Sequence, residues 1–326
     1  MKRLTQVVFA AAVTSHLAAS LLLPAHAQSD YPNKPVRLIV SFAPAGPVDV
    51  IARMLAQKIS ERLGQSVVVE NRPGAGGNIA AKYVAGVPAD GYIVLATSSA
   101  IAVNQTFYKD PGYDAPKDFT PIAMAATSPN MIVAHPSIAS NTLREFIRDY
   151  KGKPVAYATA GVGSTPHLTA ENLLRVQSGL DAVHVPFQGG GPAVTAVLGG
   201  QPPLGSISLP PTLPHIKAGK LKALAVTSLK RIDALPHVPT AVESGFPDFE
   251  DSTWVAFLGP ANLPPAIVAR LNGAINDALR DLGIKERLGA AGFDGTPGTP
   301  AEFGAYLQKE IAKWSKIVKD TGATVQ

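Results

Sequence analysis

The chain has 326 residues, no cysteine and a formal net charge of +5. Without cysteine it forms no disulfide and offers no thiolate as nucleophile or metal ligand. The basic residues are scattered rather than gathered into a stripe, which argues against a nucleic-acid partner. The small positive excess mildly favours anionic ligands.

The first 27 residues have the pattern of a signal peptide. Lys2 and Arg3 precede an apolar run from Val7 to Leu23, and Ala25-His26-Ala27 matches a small-x-small cleavage site. A membrane anchor is the alternative, which the cleavage site disfavours. We predict a signal peptide over 1–27 and a periplasmic protein of a Gram-negative bacterium. The remaining chain is long for one core, and we expect two domains.

A strand, a tight turn and a helix start are predicted around Ser41–Asp49. The apolar run Val36–Val40 predicts a buried strand, and apolar residues at helical spacing follow from Val48. Gly46 permits a tight turn, and Pro47 suits the first position of a helix, where its missing N–H costs nothing. The free N–H groups of such a helix start favour carboxylate or phosphate. An ordinary βα connection remains the alternative.

The pattern of strands alternating with helices continues along the chain. Ser66–Glu70 and Tyr92–Thr97 predict strands, and Asn78–Ala85 predicts a helix, which together indicate a largely parallel sheet covered on both faces. Gly74-Ala75-Gly76-Gly77 does not fit a nucleotide-binding glycine pattern, because Ile79 occupies the last glycine position. We interpret it as a backbone turn.

A second unit of the same design follows a composition change at Thr127–Asn130. Strand Met131–Ala134 is expected to open a new series, and strand Val155–Thr159 then leads into a glycine-containing turn before His167. We expect Thr165 to be the N-cap of the next helix and Pro166 to occupy its first position. Two such units predict two lobes that offer helix N-termini to one anion, beyond the carboxyl ends of the strands.

The rest of the chain completes these two lobes. Phe187–Pro192 predicts a third helix start, and the chain is expected to cross back to the first lobe near Phe246-Pro247-Asp248. Three helical segments close the sequence. We predict lobe 1 from residues 28–128 and 250–326, lobe 2 from 129–249, and a hinged closure around a ligand.

The motifs of this chain, in their order and spacing, resemble those of the Bug family, the periplasmic solute receptors of tripartite tricarboxylate transporters. The resemblance covers nearly all of the chain after the predicted signal peptide. Its carriers are Tyr31-Pro32, Phe42-Ala43-Pro44-Ala45-Gly46, Val69-Glu70-Asn71-Arg72-Pro73-Gly74-Ala75-Gly76-Gly77, Pro88-Ala89-Asp90-Gly91-Tyr92, Gly161-Val162-Gly163-Ser164 with His167-Leu168, Gly199-Gly200-Gln201 and Trp254.

The resemblance implies an α/β fold, that of a type II-like two-lobe periplasmic binding protein. Each lobe would be a mostly parallel sheet flanked by helices, with the ligand cleft between the lobes. The loops Phe42–Pro47 and Gly161–His167 would hold a small carboxylate, largely through backbone N–H groups and ordered water. A membrane permease would be the partner. The sequence departs from the family pattern at Ala45 (commonly Gly), Pro202-Pro203 (commonly Val-Asp) and Ser208 (commonly Asp), so the identity of the ligand does not carry over.

Several candidate site residues also have a purely structural interpretation. Two interpretations fit Ser98 and Ser99: hydrogen-bond donors to a bound carboxylate, or plain turn residues. A packing or positioning role fits His167 at least as well as contact with the ligand. Asp49 suits a capping role at a helix start. Phe42 and Phe187 are pocket walls or core. The complete set of predicted ligand-binding residues is Phe42, Pro44, Ala45, Gly46, Pro47, Ser98, Ser99, Gly161, Gly163, Ser164, Thr165, His167, Phe187, Gly189 and Ser208.

Enzyme functions fit the sequence poorly. Ser164 and His167 lack a Gly-x-Ser-x-Gly elbow, and the histidines lack metal-ligand spacing. We predict no catalytic residue, no metal and no cofactor. The predicted function is a monomeric receptor that captures a dicarboxylate, tricarboxylate or aromatic acid for a tripartite tricarboxylate-type permease. The alternatives are a ligand sensor that contacts a membrane kinase and, less favoured, a periplasmic serine hydrolase.

Overall fold

A computed structural model describes residues 31–247 and 249–322. The predicted signal peptide and Asp248 lie outside these ranges. The strands are β1 (Val36–Val40), β2 (Val67–Asn71), β3 (Ile93–Ser98), β4 (Phe119–Ala134), β5 (Val155–Thr159), β6 (Ala182–Pro186), β7 (Leu204–Ser208), β8 (Lys222–Val226), β9 (Ser252–Pro260) and β10 (Asp294–Gly295).

The helices are α1 (Pro47–Leu63), α2 (Asn78–Ala85), α3 (Ala100–Phe107), α4 (Ala115–Asp118), α5 (Leu143–Tyr150), α6 (Thr165–Ala170), α7 (Gly190–Leu198), α8 (Leu209–Lys217), α9 (Pro265–Arg280), α10 (Leu282–Ala290) and α11 (Pro300–Thr321). Helix α6 continues as a π-helical segment, Glu171–Gln177. Among the described residues, no helix is long and apolar enough to cross a membrane.

The sheet consists of two halves joined by the long strand β4. Residues 119–129 of β4 pair with β9 in the first half, whose order is β2-β1-β3-β9-β4. Residues 130–134 pair with β7 and β8 in the second half, which continues through β5 to β6. At Asn130 the strand therefore leaves one half and enters the other.

Two expectations about the sheet were wrong. The strand expected at Met131–Ala134 is the last quarter of β4, because Thr127–Asn130 continues the strand instead of interrupting it. Pro129 is tolerated there, since the strand changes partners at the next residue. The halves are also mixed and not mostly parallel. The pairs β1–β2, β1–β3, β5–β6 and β5–β7 are parallel, whereas every pair that includes β4 or β9 is antiparallel.

Each half of the sheet is covered on both faces. Alternation along β1 sends Leu38 and Val40 to the core beneath α1 and α9, and Ile39 to the core beneath α2, α3 and α11. The second half has a core on the α5 and α6 side and another on the α7 and α8 side. Buried faces on both sides explain the continuous apolar strands of the sequence.

The local signals for helix ends were reliable. Helix α1 begins at Pro47 after the N-cap Gly46 and ends at Gly64, which adopts a left-handed conformation. Helix α11 has the capping box of Thr299 and Glu302. Helix α8 begins at Leu209 after the N-cap Ser208, and Pro210 and Pro211 occupy its first turn.

A buried carboxylate joins α11 to the first sheet half. Glu310 Oε2 accepts from the indole Nε1 atoms of Trp254 and Trp314, both at 3.0 Å. The side chains of both tryptophans are almost completely buried.

We predict that Glu310→Leu lowers the free energy of unfolding by about 2–4 kcal/mol, because it leaves two buried N–H donors unpaired. Glu310→Gln, which keeps an acceptor oxygen, is the matched control and is expected to lose less than about 1 kcal/mol. Urea unfolding monitored by tryptophan fluorescence measures both. Equal losses for the two variants would contradict the assigned role of Glu310.

Candidate functional site

The two sheet halves face each other across a cleft at the carboxyl ends of their strands. The cleft has about 400 Å³ of empty space, a volume that includes open solvent. Its walls are short loops and helix starts from both halves. It is lined by Phe42, Gly46, Pro47, Val48, Ser98, Ala160, Ser164, Thr165, Pro166, Gly189, Gly190, Ser208 and Thr253.

The starts of several helices point at this cleft. The N-caps of α1 (Gly46), α6 (Ser164), α7 (Gly189) and α8 (Ser208) all line it, and α3 begins just after the lining residue Ser98. The first-turn N–H groups of a helix lack intrahelical partners and carry partial positive charge. The cleft therefore presents several positive helix ends to whatever occupies it.

None of the lining residues among the described part of the chain is ionisable. A cleft with positive helix ends and no carboxylate favours an anion, and the absence of a lining Arg or Lys leaves backbone amides and hydroxyls to hold it.

Counting protons shows which hydroxyls are free to donate to a ligand. Thr253 Oγ1 donates its single proton to Asn130 Oδ1 at 2.9 Å, so in the 3.0 Å bond with Thr165 Oγ1 it is the acceptor. Thr165 then accepts from Ser99 Oγ, also at 3.0 Å. Ser164 Oγ donates to Gly161 O at 2.7 Å. All four of these donor protons are used within the protein.

The hydroxyl protons of Ser98 and Ser208 are not donated to any atom of the described residues. Ser98 Oγ accepts from Ala100 N at 3.3 Å but donates to no protein atom among the described residues. Ser208 Oγ has no hydrogen bond to the described part of the chain. The two serines end β3 and β7, one in each half, so they can donate to a bound anion from opposite sides.

A second chamber of about 820 Å³ adjoins the cleft, and Phe42 and Ala160 line both. Beside this chamber the two halves pack closely. A Cβ added to Gly76 would lie only 3.0 Å from the carbonyl oxygen of Val162. No ionisable carboxylate or ammonium lines this outer chamber. Its lining is Phe42, Pro73, Gly74, Ala75, Gly76, Gly77, Tyr108, Ala160, Gly161, Val162, Pro186, Phe187 and Gln188.

The predicted site residues fall into three groups. Phe42, Gly46, Pro47, Ser98, Ser164, Thr165, Gly189 and Ser208 line the cleft. Gly161 and Phe187 line the outer chamber. Pro44, Ala45, Ser99, Gly163 and His167 line neither.

Those five residues support the site rather than form its wall. Pro44 and Ala45 are exposed, and Ala45 has a φ of 64°, the conformation that favours the glycine common in relatives. Ser99 is buried beneath Thr165. Gly163 packs so closely that an added Cβ would lie 2.8 Å from Asn104 Oδ1. His167 supports the loop that precedes α6, where its ring Nδ1 accepts from Gly163 N.

The expected N-cap position at Thr165 was wrong. Ser164 is the N-cap of α6, and its side chain accepts from His167 N, whereas Thr165 is the first helical residue and Pro166 the second. Proline is equally compatible with the second position, since the first four N–H groups of a helix are all unpaired. Thr165 instead joins the two halves, through its bonds to Ser99 and Thr253.

Asp49 secures the first loop. Its Oδ2 accepts from Ala45 N at 3.0 Å, and its Oδ1 accepts from Asn71 Nδ2 at 2.9 Å and pairs with Arg53. The carboxylate thus ties the turn before α1 to the end of β2, which agrees with the predicted structural role although Asp49 is not the N-cap.

A pair of stacked histidines supports the second loop. The rings of His167 and His184 lie 3.9 Å apart, and His167 Nδ1 accepts from Gly163 N at 3.4 Å. Burial, with a smaller effect of Arg175, lowers the pKa of His167 to about 4. Burial and then His167 itself lower the pKa of His184 to about 3. Both rings are neutral near pH 7.

Sequence patterns missed part of the site. Thr253 and Gly190 line the cleft but were not among the predicted residues, and Thr253 reaches it through the long-range packing of β9 beside α6, where it bonds Thr165. Gly74–Gly77 was correctly interpreted as a turn, with positive φ at Gly74, Gly76 and Gly77, but its place in the outer chamber depends on the second half. Pro202-Pro203 precedes β7 and lies at the opposite end of that strand from Ser208.

Two α/β halves, each with helix starts facing a shared cleft, define a two-lobe solute-binding receptor. The chain belongs to the tripartite tricarboxylate transporter family receptors, whose family model matches residues 51–323. The protein BugT of Bordetella pertussis is 36% identical over 330 aligned residues, which cover 100% of this chain and 99% of BugT.

Solved structures agree with this assignment. R. palustris Rpa4515 with adipate has a TM-score of 0.86 at 35% identity, covering 90% of this chain and 99% of that one. MatC from Rhodopseudomonas palustris with bound malate has a TM-score of 0.83 at 30% identity, covering 88% and 100%. The predicted family and two-lobe fold class are thereby confirmed.

The low pKa values of His167 and His184 predict that the protein loses stability in mild acid. A histidine whose folded pKa lies below its unfolded value stabilises the fold above about pH 6.5, and this contribution is lost as pH falls, because the unfolded chain takes up the proton first. His184→Phe keeps the stacked ring but cannot bind that proton. Its free energy of unfolding should therefore depend less steeply on pH than that of the wild type between pH 6 and 4.5, by about one proton. Urea unfolding at several pH values measures this, and equal slopes would refute it.

Proposed function

We propose that the chain is a periplasmic receptor that closes two lobes on a small carboxylate and presents it to a membrane permease. The observation that carries this proposal is the cleft with no ionisable lining residue, at which the starts of α1, α3, α6, α7 and α8 converge. The two relatives described above, Rpa4515 and MatC, hold adipate and malate. Both acids carry carboxylates, the kind of group that positive helix ends stabilise.

The two chambers suggest how an acid would be arranged. One carboxylate would accept from the helix-start amides and from Ser98 and Ser208 in the cleft. The remainder would extend past Phe42 into the outer chamber, where the rings of Tyr108 and Phe187 provide apolar wall. Dicarboxylates and aromatic acids therefore rank above sugars and amines as ligand classes.

The lobes would be residues 28–128 with 250–326, and 129–249. The change of partners of β4 between Pro129 and Asn130, one residue from the proposed boundary, supports this division. Membership of a transporter receptor family supports a permease as the partner. A periplasmic location and a monomeric state belong to the same proposal.

The serine hydrolase alternative is disfavoured by geometry. Ser164 contacts the backbone N–H of His167, while the ring Nδ1 of His167 is taken by Gly163 N. A nucleophilic serine needs the ring nitrogen of its general base within hydrogen-bond distance.

The proposed function is tested by thermal-shift screening of the purified mature protein, followed by calorimetry. Malate, adipate and aromatic carboxylates are expected to raise the melting temperature progressively with concentration, because they bind only the folded form. Glucose and putrescine are the uncharged and cationic controls. Stabilisation by these controls alone, with no effect of any carboxylate, would refute the proposal.

Ser208 is predicted to control the charge preference of the cleft. Ser208→Asp places a carboxylate beside the bound anion and should weaken binding of malate or adipate by at least about tenfold through like-charge repulsion in a partly desolvated site. Ser208→Asn is the matched control of equal size and no charge, and should stay within about threefold of the wild type. Calorimetric dissociation constants for the three proteins decide the matter; equal weakening by Asp and Asn would mean that size and not charge is responsible.

A further inference from the structure

The junction between the two halves holds a buried carboxyl group. Asp251 immediately precedes β9, and Asn130 is the residue at which β4 leaves β9 for β7. A hydrogen bond that Asn130 Nδ2 donates to Asp251 Oδ2 at 2.9 Å connects the two chain crossings.

The carboxyl group of Asp251 is unevenly satisfied. Only 4% of the residue is exposed. Its Oδ2 contacts Asn130 Nδ2 and Thr169 Oγ1, whereas its Oδ1 has no hydrogen-bond partner among the described residues. A charged carboxylate with one buried, unpaired oxygen is costly, and the neutral acid costs much less.

The hydroxyl of Thr169 has one proton and two acceptors within reach, Thr165 O at 2.8 Å and Asp251 Oδ2. If Asp251 is ionised, Thr169 can donate to it only by giving up Thr165 O. If Asp251 is neutral, its own proton can go to Thr169 Oγ1 while Thr169 keeps the bond to Thr165 O. Both bonds are therefore made together only when Asp251 carries a proton.

The same carboxyl group connects to the cleft by a second route. Asn130 donates to Asp251 through Nδ2 and accepts from Thr253 through Oδ1 at 2.9 Å. Thr253 in turn bonds Thr165, and both of these threonines line the cleft. Asp251 thus sets the hydrogen-bond directions of α6 and β9 where the halves meet over the ligand position.

We propose that Asp251 is a positioning residue that carries a proton in the closed, ligand-holding form, so that closure on a carboxylate takes up a proton. Asp251 lies between Thr169 on α6 of one half and Lys313 on α11 of the other, so in the open form these helices move apart and water reaches the acid, which then ionises like an ordinary aspartic acid. The affinity for a carboxylate accordingly rises as pH falls through the range between the pKa of Asp251 in the closed form and its lower pKa in the open form. The inference rests on the proposed function and deepens it.

The charges around Asp251 are consistent with this role. Burial raises its pKa to about 6, although the Lys313 ammonium and the bonds from Thr169 and Asn130 oppose that rise. The charged or titratable groups that face Asp251 or adjoin it lie on α11 and the preceding loop: Tyr306, Glu310, Lys313 and Glu250. The neighbouring His167 is already neutral above its pKa of about 4 and does not take part.

The direction of the pH effect follows from the sign of the shift. A carboxyl whose pKa is higher in the closed form than in the open form favours closure at low pH, and this advantage is lost as pH rises from about 4 to 6 and is absent above about 6. Between pH 7 and pH 5 the affinity should therefore rise by about tenfold.

The test measures dissociation constants for malate and adipate from pH 5 to 7, for the wild type and for Asp251→Asn. The asparagine mimics the neutral acid at every pH, so the ratio of the two constants cancels the titration of the acids themselves. This ratio is expected to change by about tenfold across the range. Asp149→Asn, at a half-buried carboxylate on α5 remote from the junction, is the matched control and should follow the wild type.

A constant ratio between wild type and Asp251→Asn would overturn the inference while leaving the proposed function intact. Binding of neither acid at any pH would refute the proposed function itself. Should Asp251→Asn fail to fold, calorimetry of the wild type at pH 6 in two buffers of different ionisation enthalpy decides the question. Uptake of about half a proton per bound acid is expected, and no uptake would overturn the inference.

Discussion

The structure depends on the convergence of helix starts at the carboxyl ends of the strands in both halves. Gly46, Ser164, Gly189 and Ser208 begin four helices that line one cleft. Each helix end contributes only a few tenths of a kcal/mol to about 1 kcal/mol toward an anion in exposed positions, and more when water is excluded. A site built from such ends is strong only when several of them act together in a closed space. The two-lobe architecture provides both conditions.

The mixed sheet follows from the need to join the lobes. Strands β4 and β9 run antiparallel side by side through the first half, and β4 alone continues into the second. Side chains also connect the two halves at this junction. Asn130, Thr165 and Thr253 link the crossings to the cleft wall by hydrogen bonds of 2.9 and 3.0 Å. The polar network that joins the lobes is therefore also the network beneath the ligand position.

Local signals in the sequence were sufficient for the strand–turn–helix units. The run Val36–Val40 and the turn at Gly46 are each determined by neighbouring residues, and the structure places them as predicted. The Ser164 cap was assigned one residue too late, because proline fits both the first and the second helical positions. Strand β4 was divided at Thr127–Asn130, because polar residues in a strand that changes partners look like a turn. The bonds of Asp251 to Asn130 and Thr169 join residues more than 80 positions apart, and no spacing pattern predicts such contacts.

No cation among the described residues lines the cleft, and under the proposed function this makes affinity a property of closure. An arginine on one lobe would hold an anion in the open form as well, since its charge acts alone. Helix-start amides on both lobes, with Ser98 on one side and Ser208 on the other, would reach a bound anion together only when the halves meet. Any group whose ionisation changes the free energy of closure then changes affinity by the same amount, even if it never touches the ligand. Asp251 is placed to do this, since its buried and half-satisfied carboxyl lies where the chain passes between the halves.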